Sequence, residues 1–250
     1  MKRIFLAGAV ALGLTLTSCE TTKELILNAD GSGNYSTSVD LSQLINLAKM
    51  QGGEGLDEMD EKKFDTTISL GTLIDSIQEL STNEKQLASK GTMQLTMDLA
   101  NDVFKTKTNF PFKSTAELSN VNKITNILSN KASMNALGAG GADQEGPMDL
   151  PEGGIDDYYD MKFTANSISK VLKADKYAKK GDDQGVQTME ELAGQGMVPT
   201  TTFILRLPRP ATKVEGKGIK VSEDKKTITI NESVEDFIED GKSLEFHIEY

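Results

Sequence analysis

The chain has no tryptophan, one histidine and one cysteine among its 250 residues, and aromatic side chains make up only 6% of it. Each shortage removes a class of function. A single histidine excludes the commonest zinc sites and makes any histidine-based triad depend on His247 alone. Without tryptophan there are no flat indole platforms of the kind that usually stack sugars in carbohydrate-binding modules. One cysteine has no disulfide partner, so stability must come from packing. Basic side chains are outnumbered, 27 against 38 acids, for a net charge of −11. Such a chain repels phosphate backbones, and nucleic-acid binding is not expected. No phosphate-cradling Gly-x-x-x-x-Gly-Lys, Gly-x-Ser-x-Gly elbow or cofactor motif is present.

Long apolar runs are absent too, with one exception at the start. Lys2 and Arg3 precede an apolar stretch from Ile4 to Leu16, closed by Leu16-Thr17-Ser18-Cys19. Its 13 residues fall short of the roughly 20 needed to cross a bilayer. A basic start, a short apolar centre and small residues before a cut describe a secretory signal. The lone cysteine falls where the lipobox of bacterial lipoproteins places its acylated thiol. The reading is a signal peptide over 1–18, lipidation at Cys19, and a short tether over 19–24 that keeps the folded body against the membrane. Residues 25–250 then form one domain. Losing Lys2 and Arg3 leaves 25 basic against 38 acidic side chains, a net charge of −13.

Within that domain the periodicity predicts α+β architecture. Leu25, Leu27 and Ala29 alternate with polar residues, Asp30-Gly31-Ser32-Gly33-Asn34 turns, and Tyr35, Thr37, Val39 and Leu41 alternate again: a hairpin. Asp40 or Ser42 can cap a following helix with Leu41, Leu44, Ile45 and Ala48 on one stripe. The Gly-rich, acidic stretch 51–65 reads as a solvated loop, and Leu70, Leu73, Ile74 and Ile77 as a second helix ending near Leu80. Met93, Leu95, Met97 and Leu99 mark a strand and Val103 to Phe112 its partner, with Pro111 at an end or edge. Ser114 to Glu117 matches a capping box ahead of Leu118, Val121, Ile124 and Leu128. Strand, strand, helix thus occurs twice, a possible internal repeat whose hairpins join in one antiparallel sheet with helices on one face.

Glycines and prolines over 133–157 mark a mobile insertion. Tyr158 to Ala165 reads as a strand, and Ser167 to Lys180 fits either a basic helix or an extended segment. Met189 to Leu192 reads as a helical turn and Thr200 to Leu207 as a strand. Ile219 to Ile230 form a hairpin around Ser222 to Lys226. Leu244, Phe246, Ile248 and Tyr250 alternate to the end of the chain, which places them in the sheet.

Residues that could carry chemistry are few. His247 lies between Glu245 and Glu249, a ladder able in principle to hold a cation, although a solvated strand face explains it as well. Asp156, Asp157 and Asp160 around Tyr158 and Tyr159 are possible calcium ligands, as is Asp30 to Asn34, but neither spacing matches the repeated Asp loop. Turn chemistry accounts for Asp30. No pair of acids is singled out for glycosidic cleavage, so no catalytic, cofactor or metal residue is assigned and the chain is expected not to be an enzyme, an acid-dependent hydrolase being the remote alternative.

The lipobox followed at once by a strand, Asp30-Gly31-Ser32-Gly33 and a second strand resembles the start of LppM-type lipoprotein domains. The ending, with Leu207-Pro208, the hairpin through Asp224 and Lys225 to Thr227-Ile228-Thr229-Ile230, and the final alternating strand, is similar to their C-terminal part. The opening also looks like short lipoproteins common in Bacteroidota. The resemblance implies an α+β envelope domain with a plausible role in binding a lipid or glycolipid, and no catalytic residue to carry over. The expected function is a noncatalytic, lipid-anchored envelope protein that binds a lipid-like or other envelope ligand. The competing reading is an assembly or scaffold protein acting through protein contacts. Glu20 is not the Asp that resembles an inner-membrane retention signal, so the outer membrane is the expected destination.

Overall fold

The computed structural model describes residues 20–42, 63–128, 154–194 and 198–250, apart from positions 73, 75, 76, 78, 79, 122 and 126. The signal segment, Cys19, the helix expected after Ser42 and most of both Gly-rich stretches lie outside them.

Alternation of apolar and polar residues builds two sheets. Strands β1 (Glu20–Leu27), β2 (Gly33–Asp40), β3 (Lys63–Ser69), β4 (Thr92–Asp98), β5 (Val103–Phe112), β8 (Thr200–Arg206), β10 (Ile219–Val221) and β11 (Thr227–Ser233) form an eight-stranded sheet in the order β10-β11-β8-β1-β2-β5-β4-β3. Strands β6 (Tyr159–Phe163), β7 (Ser167–Leu172), β9 (Lys213–Gly216) and β12 (Phe246–Glu249) form a second sheet, β6-β7-β12-β9. All pairings are antiparallel except β1 with β8, which is parallel with Lys23 opposite Phe203 and Leu25 opposite Leu205.

The α+β class holds, and the two hairpins expected to join do so through β2 and β5. One face of the large sheet is covered in two ways. Leu118, Val121, Ile124 and Leu128 pack from the helical residues within 118–128, beside Leu70, Ile74 and Ile77. The rest of that face meets the small sheet, whose Ile168, Phe246, Ile248 and Tyr250 join Leu25, Leu205 and Ile228 in one core. The rings of Phe203 and Phe246 meet across the sheets, centroids 6.3 Å apart.

Local chemistry explains the turns. Asp30 Oδ1 accepts from the Ser32 amide at 3.0 Å and the Ser32 hydroxyl at 2.6 Å, closing the first hairpin around Gly31 with φ +83°. Gly33 is required by space, because a Cβ there would stand 2.0 Å from the Ile26 carbonyl oxygen and 2.5 Å from the Phe112 ring. Pro111 lies beyond Asn109, the last β5 residue paired with β4, so its missing N–H costs no bond on that side.

Several expectations are corrected. The tether does not exist as such: from Glu20 onward it is strand β1, held between β2 and β8. The loop expected over 51–65 gives way at Lys63 to β3, an edge strand with only Phe64 and Ile68 half-buried on one face. Of the stripe expected at Leu70 to Ile77, the described members Leu70, Ile74 and Ile77 are buried, but its start is a 3-10 turn over Leu70–Thr72, where Gly71 and Thr72 favour helix poorly. The true capping box is at Ser81 and Glu84, opening a helix over Thr82–Ala88. Lys123 and Ser81 bond the Glu84 carboxylate and hold its pKa down to about 2. At Ser114 the side chain caps nothing, and Glu117 instead accepts from the Lys113 amide at 2.9 Å. The ambiguous stretch from Ser167 is both things: β7, then a short helix over Ala174–Tyr177. The Gly-rich insertion ends by Gly154, because Ile155–Tyr158 forms a 3-10 turn. Strand β9 and the helix Val234–Glu239 add to the expected elements.

Candidate functional site

Strand parity decides which side chains face inward. On β1 the inward set is Lys23, Leu25 and Leu27; on β7 it is Ile168 and Lys170; on β11 it is Ile228, Ile230 and Glu232. Each of these strands therefore places one charge on the buried face, where the two sheets meet. A fourth charge, Asp156, comes from the 3-10 turn Ile155–Tyr158.

The four form an alternating chain of opposite charges. Lys23 bonds Asp156 Oδ2, Asp156 Oδ1 lies 3.5 Å from Lys170 Nζ, and Lys170 donates to both Glu232 oxygens at 2.8 Å. Their side chains are 15%, 15%, 3% and 10% accessible in that order. Lys170 Nζ also sits 4.5 Å from the centroid of the Tyr159 ring, whose hydroxyl donates to the Gly241 carbonyl at 2.6 Å. Beside the cluster lies a cavity of about 20 Å³, large enough for one water, with Tyr35, Phe203 and Thr201 on its wall.

Burial by itself would push the Asp156 carboxyl up, but the ammonium groups of Lys23 and Lys170 outweigh it and hold it well below the usual carboxylate range. Burial likewise disfavours the Lys23 ammonium, and Asp156 outweighs it, so Lys23 stays above the ordinary lysine range. The Tyr35 phenol is pushed up to about 12 by burial, against the pull of Lys23. A carboxyl held that low does not exchange protons near neutral pH, so Asp156 is suited to fastening the sheets and unsuited to general base work.

A second feature lies on the opposite, solvent face of the large sheet. Register aligns Glu20, Asp40, Lys105 and Thr96 in one row across β1, β2, β5 and β4, and Thr22, Ser38, Lys107 and Gln94 in the next. Together they line an open polar groove of about 340 Å³. Lys105 Nζ lies 2.9 Å from Asp40 Oδ2, and Gln94 donates to Asp65 Oδ1 at 3.0 Å. Among the described residues, Glu20 and Lys107 have no ion-pair partner. The groove starts at Glu20, one residue after Cys19.

The residues singled out from the sequence do not converge. Asp157 lies 3.7 Å from Lys176 and Asp160 3.5 Å from Lys173, while Asp156 turns inward. His247 Nε2 lies 3.0 Å from Glu249, but Glu245 accepts from the Leu172 amide at 2.9 Å, so the three-membered ladder is not assembled. No group of three or more potential metal ligands occurs among the described residues. Both features found here escaped the sequence reading. The signal for the first was present, as a charge in phase with buried aliphatics at Lys23, Lys170 and Glu232. The groove needs strand register, which composition does not supply.

No family model matches the chain, and no curated protein matches it. A solved structure similar to it is the NMR structure of the folded domain of the Mycobacterium tuberculosis LppM protein, with 6% identity and a TM-score of 0.38, covering 100% of this chain and 95% of that one. At this distance the reading of the site rests on the chain's own residues.

Proposed function

We propose that this protein is a noncatalytic, lipid-anchored component of the bacterial envelope, outer membrane by preference, whose groove binds a polar constituent of the membrane surface. The observation that carries the proposal is the position of β1. It begins at Glu20 and lies in the interior of the large sheet, so acyl chains on Cys19 would tie the sheet to the bilayer without a flexible stalk. The groove at Glu20 would then face the headgroup layer. The interior acids support a noncatalytic reading, since Asp156 and Glu232 are both committed to lysines.

Cys19→Ser tests the anchor. Acyl chains contribute about 0.8 kcal/mol per buried methylene to membrane partition and none to the folded body. The variant is expected to leave the membrane pellet while keeping the wild-type melting temperature. Unchanged partition on fractionation of whole cells would refute the anchor.

A protein-scaffold reading is favoured by one observation, that β3 is an edge strand with Asp65, Thr66 and Thr67 exposed. Strand addition there would bring a partner alongside Thr66. In that case Thr66→Pro would abolish co-purification of an envelope partner and leave ligand binding in the groove intact.

A further inference from the structure

We infer that the groove on the solvent face of the large sheet takes the headgroup of a zwitterionic aminophospholipid, a phosphoethanolamine ester, from the leaflet that holds Cys19. This rests on the anchored reading above and names the ligand class for it.

The argument is one of charge layout. Acidic side chains stand on the β1 and β2 side, Glu20 and Asp40, and cationic ones on β5, Lys105 and Lys107. Their formal charges cancel. Asp40 and Lys105 already neutralise each other at 2.9 Å, which leaves one anion and one cation free among the described residues, Glu20 and Lys107. The two are separated by two strand spacings and by two residues along the strand, which sets their Cα atoms about 12 Å apart. Two long side chains reaching inward across that distance leave room for a group bearing its own charges of opposite sign. A phosphate would meet Lys107 and a primary ammonium would meet Glu20, each through charge-assisted hydrogen bonds. Ser38 and Thr22, on the row of Lys107 and on the side toward β1, offer hydroxyls.

Position favours a headgroup over a soluble ligand. The Cα atoms of Cys19 and Glu20 are one peptide apart, about 3.8 Å. The anchored groove therefore meets surface phosphates at the high effective concentration that tethering confers. An anionic headgroup with no ammonium would satisfy Lys107 and leave Glu20 facing a negative surface, an arrangement that costs rather than gains.

The test titrates the wild-type protein, in nonionic detergent, with glycerophosphoethanolamine, glycerol 3-phosphate and glycerophosphocholine by calorimetry. Binding of the first is expected, with the other two at least about tenfold weaker, each lacking the charged hydrogen bonds of a primary ammonium. Glu20→Ala and Lys107→Ala should each weaken it about tenfold. Both sites are on the solvent face, and melting curves check that the variants fold. Equal affinity for glycerol 3-phosphate would make this an anion site and overturn the inference, as would equal affinity for glycerophosphocholine or indifference to both substitutions. No binding of any probe would overturn it too, while the anchor is judged separately by the partition of Cys19→Ser.

To separate a membrane source from a soluble one, the protein is reconstituted in phosphatidylcholine vesicles with and without phosphatidylethanolamine. Protection of Lys107 from amine labelling, read relative to the exposed Lys220 because the ethanolamine amine also consumes reagent, is expected only when phosphatidylethanolamine is present. Equal labelling in both vesicles would rule out the leaflet as the source.

Discussion

Asp156→Ala is expected to be among the most damaging single substitutions in the molecule, because it leaves the ammonium groups of Lys23 and Lys170 between the sheets without their shared carboxylate. Breaking a fully buried ion pair costs about 3–5 kcal/mol. With 15% of the Asp156 side chain accessible, the low end applies, about 3 kcal/mol, measured as a shift in the denaturant midpoint at constant slope. Asp156→Asn keeps the shape and should lose nearly as much, since what is lost is the charge. Replacing Lys170 and Glu232 together by Met and Leu should cost far less, because well-packed apolar groups of similar volume often match a buried pair. If Asp156→Ala shifted the midpoint by less than the equivalent of about 1 kcal/mol, the cluster would not be the fastening described.

The same cluster fixes a pH dependence. Asp156 has a lowered folded-state pKa, so its contribution is complete above its unfolded value of about 4 and is lost as pH falls toward the folded value. Lys23 has a raised one, so its contribution is complete below its unfolded value of about 10.4 and is lost as pH rises through the folded value. Stability should therefore be flat from about pH 5 to 9 and fall on the acid side, and Asp156→Asn should flatten the acid limb.

Deleting 246–250 should abolish folding. Strand β12 sits between β7 and β9, so its loss breaks every pairing that holds β9 in the small sheet. It also removes Phe246, Ile248 and Tyr250, all buried, from the core. At about 1.5–3 kcal/mol for each large side chain, plus the lost strand pairing, the total is comparable with the about 5–15 kcal/mol that stabilises an ordinary domain. The truncated chain should lack a cooperative unfolding transition and be degraded by added protease within minutes. A cooperative transition with a midpoint near that of the wild type would show that the small sheet is dispensable.

Strands with one buried and one wet face were legible in the sequence. Leu25 and Leu27, Tyr35, and Phe246 and Ile248 announced themselves through alternation, the strand holding Phe203 and Leu205 through its density of β-branched and apolar residues, and all are buried. Strand β3 did not, because an edge strand with Phe64 and Ile68 as its only apolar residues has little face to bury. The parallel pairing of β1 with β8 was invisible for another reason: local periodicity says which face a strand buries and nothing about a neighbour 180 residues away. The ion cluster lay between these cases. Lys170 stands in phase with Ile168, and Glu232 with Ile228 and Ile230, so each advertised an inward charge; that Asp156 would answer Lys170 depends on a turn whose sequence, Ile-Asp-Asp-Tyr, has no such pattern.

The place of β1 between β2 and β8 also bears on how the chain matures. Its first partner follows within a hairpin, but its second emerges about 180 residues later. At about 5–20 residues per second of synthesis, that is a delay of roughly 10–40 s. During that time β1 has one unsatisfied edge. A holding chaperone would have its natural target there, and conditions that lengthen the delay should show up first as proteolysis of the nascent amino-terminal hairpin.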